Sequence, residues 1–300
     1  MLDAAAYPLR ARPSPALPVS KLVIGKPVEE AAALLPRLFN LCRVAQGIAV
    51  RAAFRLALED GWQEKLRAEI LREHVVKLCL KWPGLMSLPG SHLPRGWQSD
   101  PALLRKALFG ACEGLPVDWA GYQNWLVSGL GVSPVLNGLS TLFAPHEAVR
   151  EVLPISDPTT VFSTDPQENS AAARRAGHPV MQQIETRWGR GPFWSATGVL
   201  YDLEALLMGV RLPLCMSDGQ VVVAAARGSY GVRATVEDGQ VTRFARVTPT
   251  DHLLAPGGAL DQSLLSLPRE KAQALAPLVL SVLDPCFPVT LEETGEATDA

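Results

Sequence analysis

The distribution of apolar residues predicts an α+β fold, mainly helical with a small antiparallel β portion. Three observations carry that reading. Helical periodicity dominates from residue 28 to about 209, alternation replaces it between residues 221 and 247 around an Asp238-Gly239 turn, and helical periodicity returns over 269 to 283. With 300 residues, 48% hydrophobic and 19% charged, the chain is long and apolar enough for a sizeable core.

A Pro-rich stretch to Pro27 reads as a flexible leader, residues 28–292 as a single domain, and residues 293–300 as a flexible acidic tail. Residues 28 to 59 are Ala/Leu-rich and helical in period; Pro36 is expected to break them into a short piece and a longer one, with Cys42 near the start of the second. Residues 62 to 82 form the next helix, with Leu66, Ile70, Leu71, Val75, Leu78 and Trp82 on or beside one stripe and Pro83-Gly84 ending it. A Pro/Gly-rich loop runs through Asp100. Helices are expected over 101 to 112, 117 to 128, 169 to 187 and 194 to 209, with a polar stretch at 154 to 168. Val221 to Val223, then Val232, Ala234 and Val236, then Val241, Arg243, Ala245 and Val247 read as strands. Asp238-Gly239 suits a type I′ hairpin turn, which needs positive φ at both central residues.

A net charge of -2 with no Lys/Arg cluster argues against nucleic acid as a partner. Neither a basic-then-apolar N-terminal pattern nor a membrane-spanning apolar run is present, and a cytoplasmic protein is expected. Five scattered cysteines, at 42, 79, 112, 215 and 286, argue for thiols over a disulfide framework. The chain contains no P-loop, G-x-G-x-x-G, H-E-x-x-H, G-x-S-x-G or C-x-x-C motif, so the expectation is a protein that catalyses no reaction.

Other residues, taken in order, carry a resemblance. Phe39, Cys42, Gln46 and Ala49 align with C-G-x-C-x-x-x-H and the Ala after it, Phe39 standing for the first Cys and Gln46 for the His. Asp284-Pro285-Cys286 matches the start of D-P-C-x-x-C-x-x-H, with Val289 and Glu292 replacing its last Cys and His. Glu73-His74-Val75-Val76 through Trp82 is similar to a D-H-x-x-H-F-Y…W helix, from which Lys77 and Cys79 depart. Ala226-Arg227-Gly228-Ser229-Tyr230-Gly231, Asp238-Gly239-Gln240 and Val247-Thr248-Pro249-Thr250 resemble E-A-P-R-G-x-x-G…DGK…V-P-[ST]-T, with Ala224 and Ala226 replacing its Glu and Pro. In this order the motifs resemble the nickel-iron hydrogenase large-subunit family, in its degenerate HupK/HoxV accessory branch, from about residue 35 to 292.

The resemblance implies a reduced large-subunit fold and a maturation scaffold or chaperone. It implies Cys42 and Cys286 as metal ligands, for iron that carries cyanide and CO and is passed from maturation proteins to the apo large subunit. Soft thiolates are what such metals select. With Phe39 and Val289 in place of two further thiolates, nickel is not expected, and with Glu292 in place of the His, neither is the proteolytic step that follows nickel insertion in the enzymes. Arg227, Pro249 and Thr250 are implied as contacts to the cyanides, with Asp284 and Glu73 supporting them. Continuing the Asp238-Gly239 hairpin without a bulge places Arg227 opposite Thr250, so that a guanidinium and a hydroxyl converge at the open end of the ribbon. A metal-free chaperone that binds hydrogenase subunits or maturation factors is the alternative.

Plainer roles stand beside these. Cys42 on an Ala/Leu helix is, taken alone, a small buried hydrophobe, whereas Cys286 after Asp-Pro lies in a turn with less packing reason to exist. Cys79, Cys112 and Cys215 are expected in the core, and His74 as a satisfied buried histidine. Arg227 can equally snorkel from a strand end and Asp284 cap a turn, while Trp188, Phe193 and Trp194 read as core.

Overall fold

The computed structural model describes residues 9–15, 17–39, 41–110, 114–217 and 219–293. Its elements run β1 (Leu9–Pro13), α1 (Val19–Val23), α2 (Val28–Leu38), α3 (Arg43–Ala53) and α4 (Trp62–Val76). A π-helical turn (Lys77–Lys81) joins α4 to α5 (Trp82–Leu85), and α6 (Pro101–Phe109), α7 (Trp119–Leu126) and α8 (Ser133–Leu142) follow. After a 3₁₀ turn (Ala172–Arg175) come α9 (Pro179–Trp188), α10 (Pro192–Leu207), β2 (Leu214–Ser217), β3 (Gln220–Ala225), β4 (Gly228–Glu237) and β5 (Gln240–Val247). The last elements are α11 (Pro249–Leu253), α12 (Ala259–Leu265), α13 (Arg269–Leu283) and β6 (Val289–Glu293).

The fold is α+β. The strands form a four-stranded antiparallel sheet, β2-β3-β4-β5, and a separate two-stranded ribbon, β1-β6. That ribbon corrects the expected flexible leader: Leu9 to Pro13 pair with Glu293 to Val289, and α1 buries Val19 and Val23, so described residues before Pro27 are part of the packed structure. Cys112 and residues 294–300 of the expected tail lie outside the described residues.

Pro36 does not break the first helix. It sits two residues before the C-terminal end of α2, where it forgoes a single intrahelical hydrogen bond, and the interruption falls at Phe39 to Cys42. Phe39 is extended there and Cys42 is left-handed, at φ 52° and ψ 39°. The helix from Trp62 likewise passes Lys77 to Lys81 with π-helical pairing and ends at Leu85, beyond the expected Pro83-Gly84 stop. A π turn inserts extra chain into a helix and recurs at functional sites.

One large core surrounds α10, which is buried almost all round, and gathers Trp82, Tyr122, Trp125, Phe193 and Trp194. A second lies between α2, α3 and the sheet, with Leu35, Val50, Leu66, Ile70, Val223 and Val232. The site described next lies where these two halves meet. Cys79 and His74 are buried as expected, but Cys215 is only half-buried, because β2 is an edge strand of its sheet. Among the described residues, no helix is long and apolar enough to cross a membrane.

Candidate metal-cargo site

The turn at Asp238-Gly239 forms with positive φ at both residues, 50° and 74°. Its ladder starts at Glu237↔Gln240 and Val236↔Val241, then slips by one residue at a bulge beside Thr235, so that Thr235 pairs with Arg243 and the ladder ends at Gly231↔Val247. The strand pairing of Arg227 with Thr250 is therefore corrected. Arg227 lies instead in the two-residue turn between β3 and β4, closed by Ala225↔Gly228, and Thr250 lies in α11 just past β5. The two still share one end of the sheet and line one cavity.

That tight turn is gripped from outside. Asn169 accepts from the amide of Ser229 at 2.7 Å and donates to its carbonyl at 3.1 Å, while Arg174 donates to the carbonyls of Ala225 and Gly228, both at 3.1 Å. Gly228 is required here: at φ 150°, a Cβ would lie 2.5 Å from the backbone and side-chain oxygens of Asn169. Arg174 also holds Asp202 through Nε and Nη2, at 2.9 and 2.6 Å, and the same carboxylate accepts from Nε2 of His74 at 2.9 Å. One network thus joins the Arg227 turn to α10 and to the part of α4 that carries Glu73.

The Arg227 guanidinium, almost wholly buried, reaches three groups. Nε lies 2.9 Å from Oδ2 and 3.1 Å from the backbone oxygen of Asp284, Nη2 lies 3.5 Å from Glu73, and Nη1 lies 3.5 Å from Sγ of Cys42. Asp284 occupies the left-handed position that ends α13, and it also meets Lys77 at 2.8 Å and Lys81 at 3.1 Å. Burial opposes ionisation of Asp284, yet Lys77, Arg227 and Lys81 outweigh it and hold the carboxyl well below the usual range. Burial likewise opposes the charge on Arg227, and Asp284, Cys42 and Glu73 overcome it. Lys77 differs: burial wins, and its ammonium is pushed down in spite of Asp284.

Cys42 is presented by the left-handed turn that opens α3, and Glu69 accepts the amide protons of Val44 and Ala45 behind it. Burial raises the Cys42 thiol, with Arg227 opposing. Two residues beyond Asp284, the Cys286 amide donates to the Thr250 hydroxyl at 2.7 Å and its thiol lies 3.6 Å from the Thr248 hydroxyl. Thr248 is held in turn by a capping box with Asp251.

Cys42 and Cys286 line the same cavity, together with Arg227, Pro249, Thr248 and Gln46. Arg227 and Pro249 also line a second cavity, with Lys77, Thr250 and Asp284, and so form the wall between the two. Each measures about 40 Å³, room for a few waters or a diatomic ligand. The donor types suit an iron with small anionic ligands: two soft sulfurs on one side, and a fixed guanidinium on the other.

The replaced positions are filled by other means. The ring of Phe39 carries the Arg246 guanidinium 4.2 Å from its centroid, Val289 lies in β6, and Glu292 pairs with Arg12 at 3.2 Å. Gln46 donates to the carbonyl of Leu41 at 2.8 Å and leaves its own buried oxygen without a partner beside the cavity. Among the described residues no group of three or more His, Cys, Asp or Glu is set to hold a metal. Sequence reasoning missed the contribution of Lys77, Asp202 and Arg174. Lys77 could have been found, as the residue that departs from the D-H-x-x-H pattern, whereas Asp202 and Arg174 lie in no motif.

No family model matches the chain. It is 48% identical over 286 residues to the hydrogenase expression/formation protein HupK of Rhodobacter capsulatus, covering 95% of this chain and 93% of that protein. It is 25% identical over 312 residues to the hydrogenase expression/formation protein HupV of Azotobacter chroococcum mcd 1, covering 91% and 90%. Its fold is similar to that of the Ni-Fe-Se hydrogenase from D. vulgaris Hildenborough in the reduced state, with a TM-score of 0.57, 12% identity and coverage of 93% and 95%. With the degenerate cysteine motifs and the large-subunit-like fold in place, the chain belongs to the HupK family of hydrogenase expression/formation proteins.

Proposed function

We propose that this chain is a hydrogenase maturation scaffold that holds iron carrying cyanide and CO between Cys42 and Cys286 and passes it to the apo large subunit. The observation that carries the reading is the position of Arg227, whose guanidinium touches Cys42 on one arm and the Asp284 that leads into Cys286 on another. The names of the two relatives, both hydrogenase expression/formation proteins, agree with it.

In this reading the two thiolates supply iron ligands, and Arg227 aims charge-assisted hydrogen bonds at the cyanides from the cavity wall it shares with Pro249. Thr250 fixes the Cys286 loop through its amide. Two labile thiolate ligands, with no nickel to lock them in place, suit release to a recipient. Nickel has no place, since Phe39 and Val289 supply no thiolate, and the protein performs no turnover of its own. Its partners are the maturation proteins that deliver the iron and the apo large subunit that receives it.

The test is infrared spectroscopy of protein made alongside intact hydrogenase maturation factors and purified without oxygen. Cyanide and CO stretching bands that disappear in Cys42→Ala and Cys286→Ala are the expected result. Absent bands in the unaltered protein would overturn the reading.

A second reading has its own support. The Cys42 thiol is raised by burial, and no third ligating side chain joins the pair among the described residues, as suits a metal-free chaperone that binds hydrogenase subunits or maturation factors. Hydrogenase maturation undiminished by the double Cys42→Ala, Cys286→Ala replacement would favour it.

A further inference from the structure

Three charged side chains meet almost out of contact with water beside the cysteine pair: Lys77, Arg227 and Asp284, each with a side chain no more than 6% exposed. Two are cations and one is an anion. Glu73 and Lys81, at the edge of the cluster, are partly exposed and cancel one another. The buried part of the site thus carries one positive charge in excess, which is costly unless a buried anion joins it.

The extra cation is Lys77. Asp284 would be neutralised by Arg227 alone, and Lys81 approaches it from the solvent side as well. Lys77, 2.8 Å from Asp284, thus brings a second buried cation to a carboxylate that Arg227 also meets, and it sits on the π-helical turn and lines the same cavity as Arg227 and Thr250. Burial already pushes its ammonium toward neutrality, so its charged form is stabilised by any anion that enters the cavity.

We propose that Lys77 is the charge-selecting residue of the site, the second cation that makes it accept cyanide-bearing iron and reject neutral carbonyl-only iron. This rests on the scaffold reading above. Two thiolates and one ferrous ion cancel, so the net charge of the bound group equals the number of cyanides it carries, all negative. Arg227 faces that charge already half-committed to Asp284 and Glu73. Lys77 restores the balance from the adjoining cavity, behind Arg227 and Pro249, without coordinating metal.

The experiment compares unaltered protein with Lys77→Met, Lys77→Arg and Lys77→His, each made with intact maturation factors, purified without oxygen and kept at pH 8, where an ordinary histidine is neutral. Iron per chain and the positions and intensities of cyanide and CO bands are the readouts, with circular dichroism as the check on folding. Lys77→Met and Lys77→His are expected to lower cyanide-band intensity per chain about tenfold, the loss of one buried balancing charge, whereas Lys77→Arg keeps most of it with shifted cyanide bands. Should Lys77→Met not fold, the contrast between the His and Arg variants decides. Cyanide bands of unaltered intensity and position in a folded neutral variant would overturn the role of Lys77. Absence of bands in the unaltered protein would instead overturn the scaffold reading beneath it.

Discussion

Glu69 performs for α3 the capping that Cys42 does not. Cys42 occupies the N-cap position with no side-chain capping hydrogen bond, and the Glu69 carboxylate, reaching across from α4, accepts the amides of Val44 and Ala45 at 2.7 and 3.1 Å. A negative group at a helix N-terminus is favoured by the helix dipole as well as by the orphan amides. The thiol is left free to face the cavity.

Glu69→Ala accordingly exposes two buried amides to loss of their acceptor. A destabilisation of about 1–2 kcal/mol is expected, in the range for losing an N-cap. Urea denaturation of the two proteins, with the slope unchanged and the midpoint lowered, is the measurement.

Acid weakens the fold through His74. Burial pushes its imidazole from 6.5 down to about 4 even though Asp202 accepts its Nε2 proton. The unfolded chain therefore binds a proton that the folded protein refuses, and the contribution of His74 is whole above about pH 6.5 and declines toward pH 4, by about 3 kcal/mol in total. Asp202, which burial would raise but which Arg174 and His74 hold well below the usual carboxylate range, adds a loss of the same sign at lower pH still. Urea midpoints measured between pH 4 and 7.5 should fall steeply on acidification, and His74→Gln should flatten the fall above pH 5.

Gly228→Ala strikes the grip of Asn169 on the Arg227 turn. The added methyl would stand 2.5 Å from two oxygens of Asn169, in a backbone conformation that favours glycine. A cost of about 2 kcal/mol or more is expected, with loss of tertiary signal around the sheet end before loss of helix content. Near-ultraviolet and far-ultraviolet circular dichroism melts distinguish the two.

Arg227 opposes the upward pull of burial on the Cys42 thiol. Arg227→Met should therefore raise that thiol further and slow its alkylation at fixed pH, since only the thiolate reacts. Mass spectrometry of Cys42-containing peptides after timed iodoacetamide treatment reports it. An unchanged rate would mean that the 3.5 Å approach of Nη1 to Sγ carries no charge interaction.

Much of the fold was legible because apolar period survives tertiary packing. The helix over 269 to 283 and the Asp238-Gly239 hairpin formed as expected. What escaped depends on contacts distant in sequence. The bulge beside Thr235 leaves no compositional trace, so extending the register placed Arg227 in a strand when it lies in a turn. The α8 helix is not legible in the apolar pattern, since Ser133-Pro134 and Gly138 obscure its period. For the site, cysteine motifs pointed to Cys42 and Cys286, and both line one cavity. Lys77 was noted only as a departure, because nothing local shows that a lysine will be buried against an aspartate some two hundred residues away.

The pairing of β1 with β6 sets an order of events as the protein is made. Leu9 to Pro13 emerge from the ribosome long before their partners, Val289 to Glu293. Helices and the four-stranded sheet, with Cys42, Glu73 and Arg227, can assemble from nearer neighbours while synthesis continues, because contacts between near neighbours form sooner than distant ones. Cys286, three residues ahead of β6, is secured on both flanks only once that strand has been translated and has found β1. The cavity that Cys42 and Cys286 share is thus finished last, and a nascent chain with Cys42 in place cannot complete that wall until β6 exists.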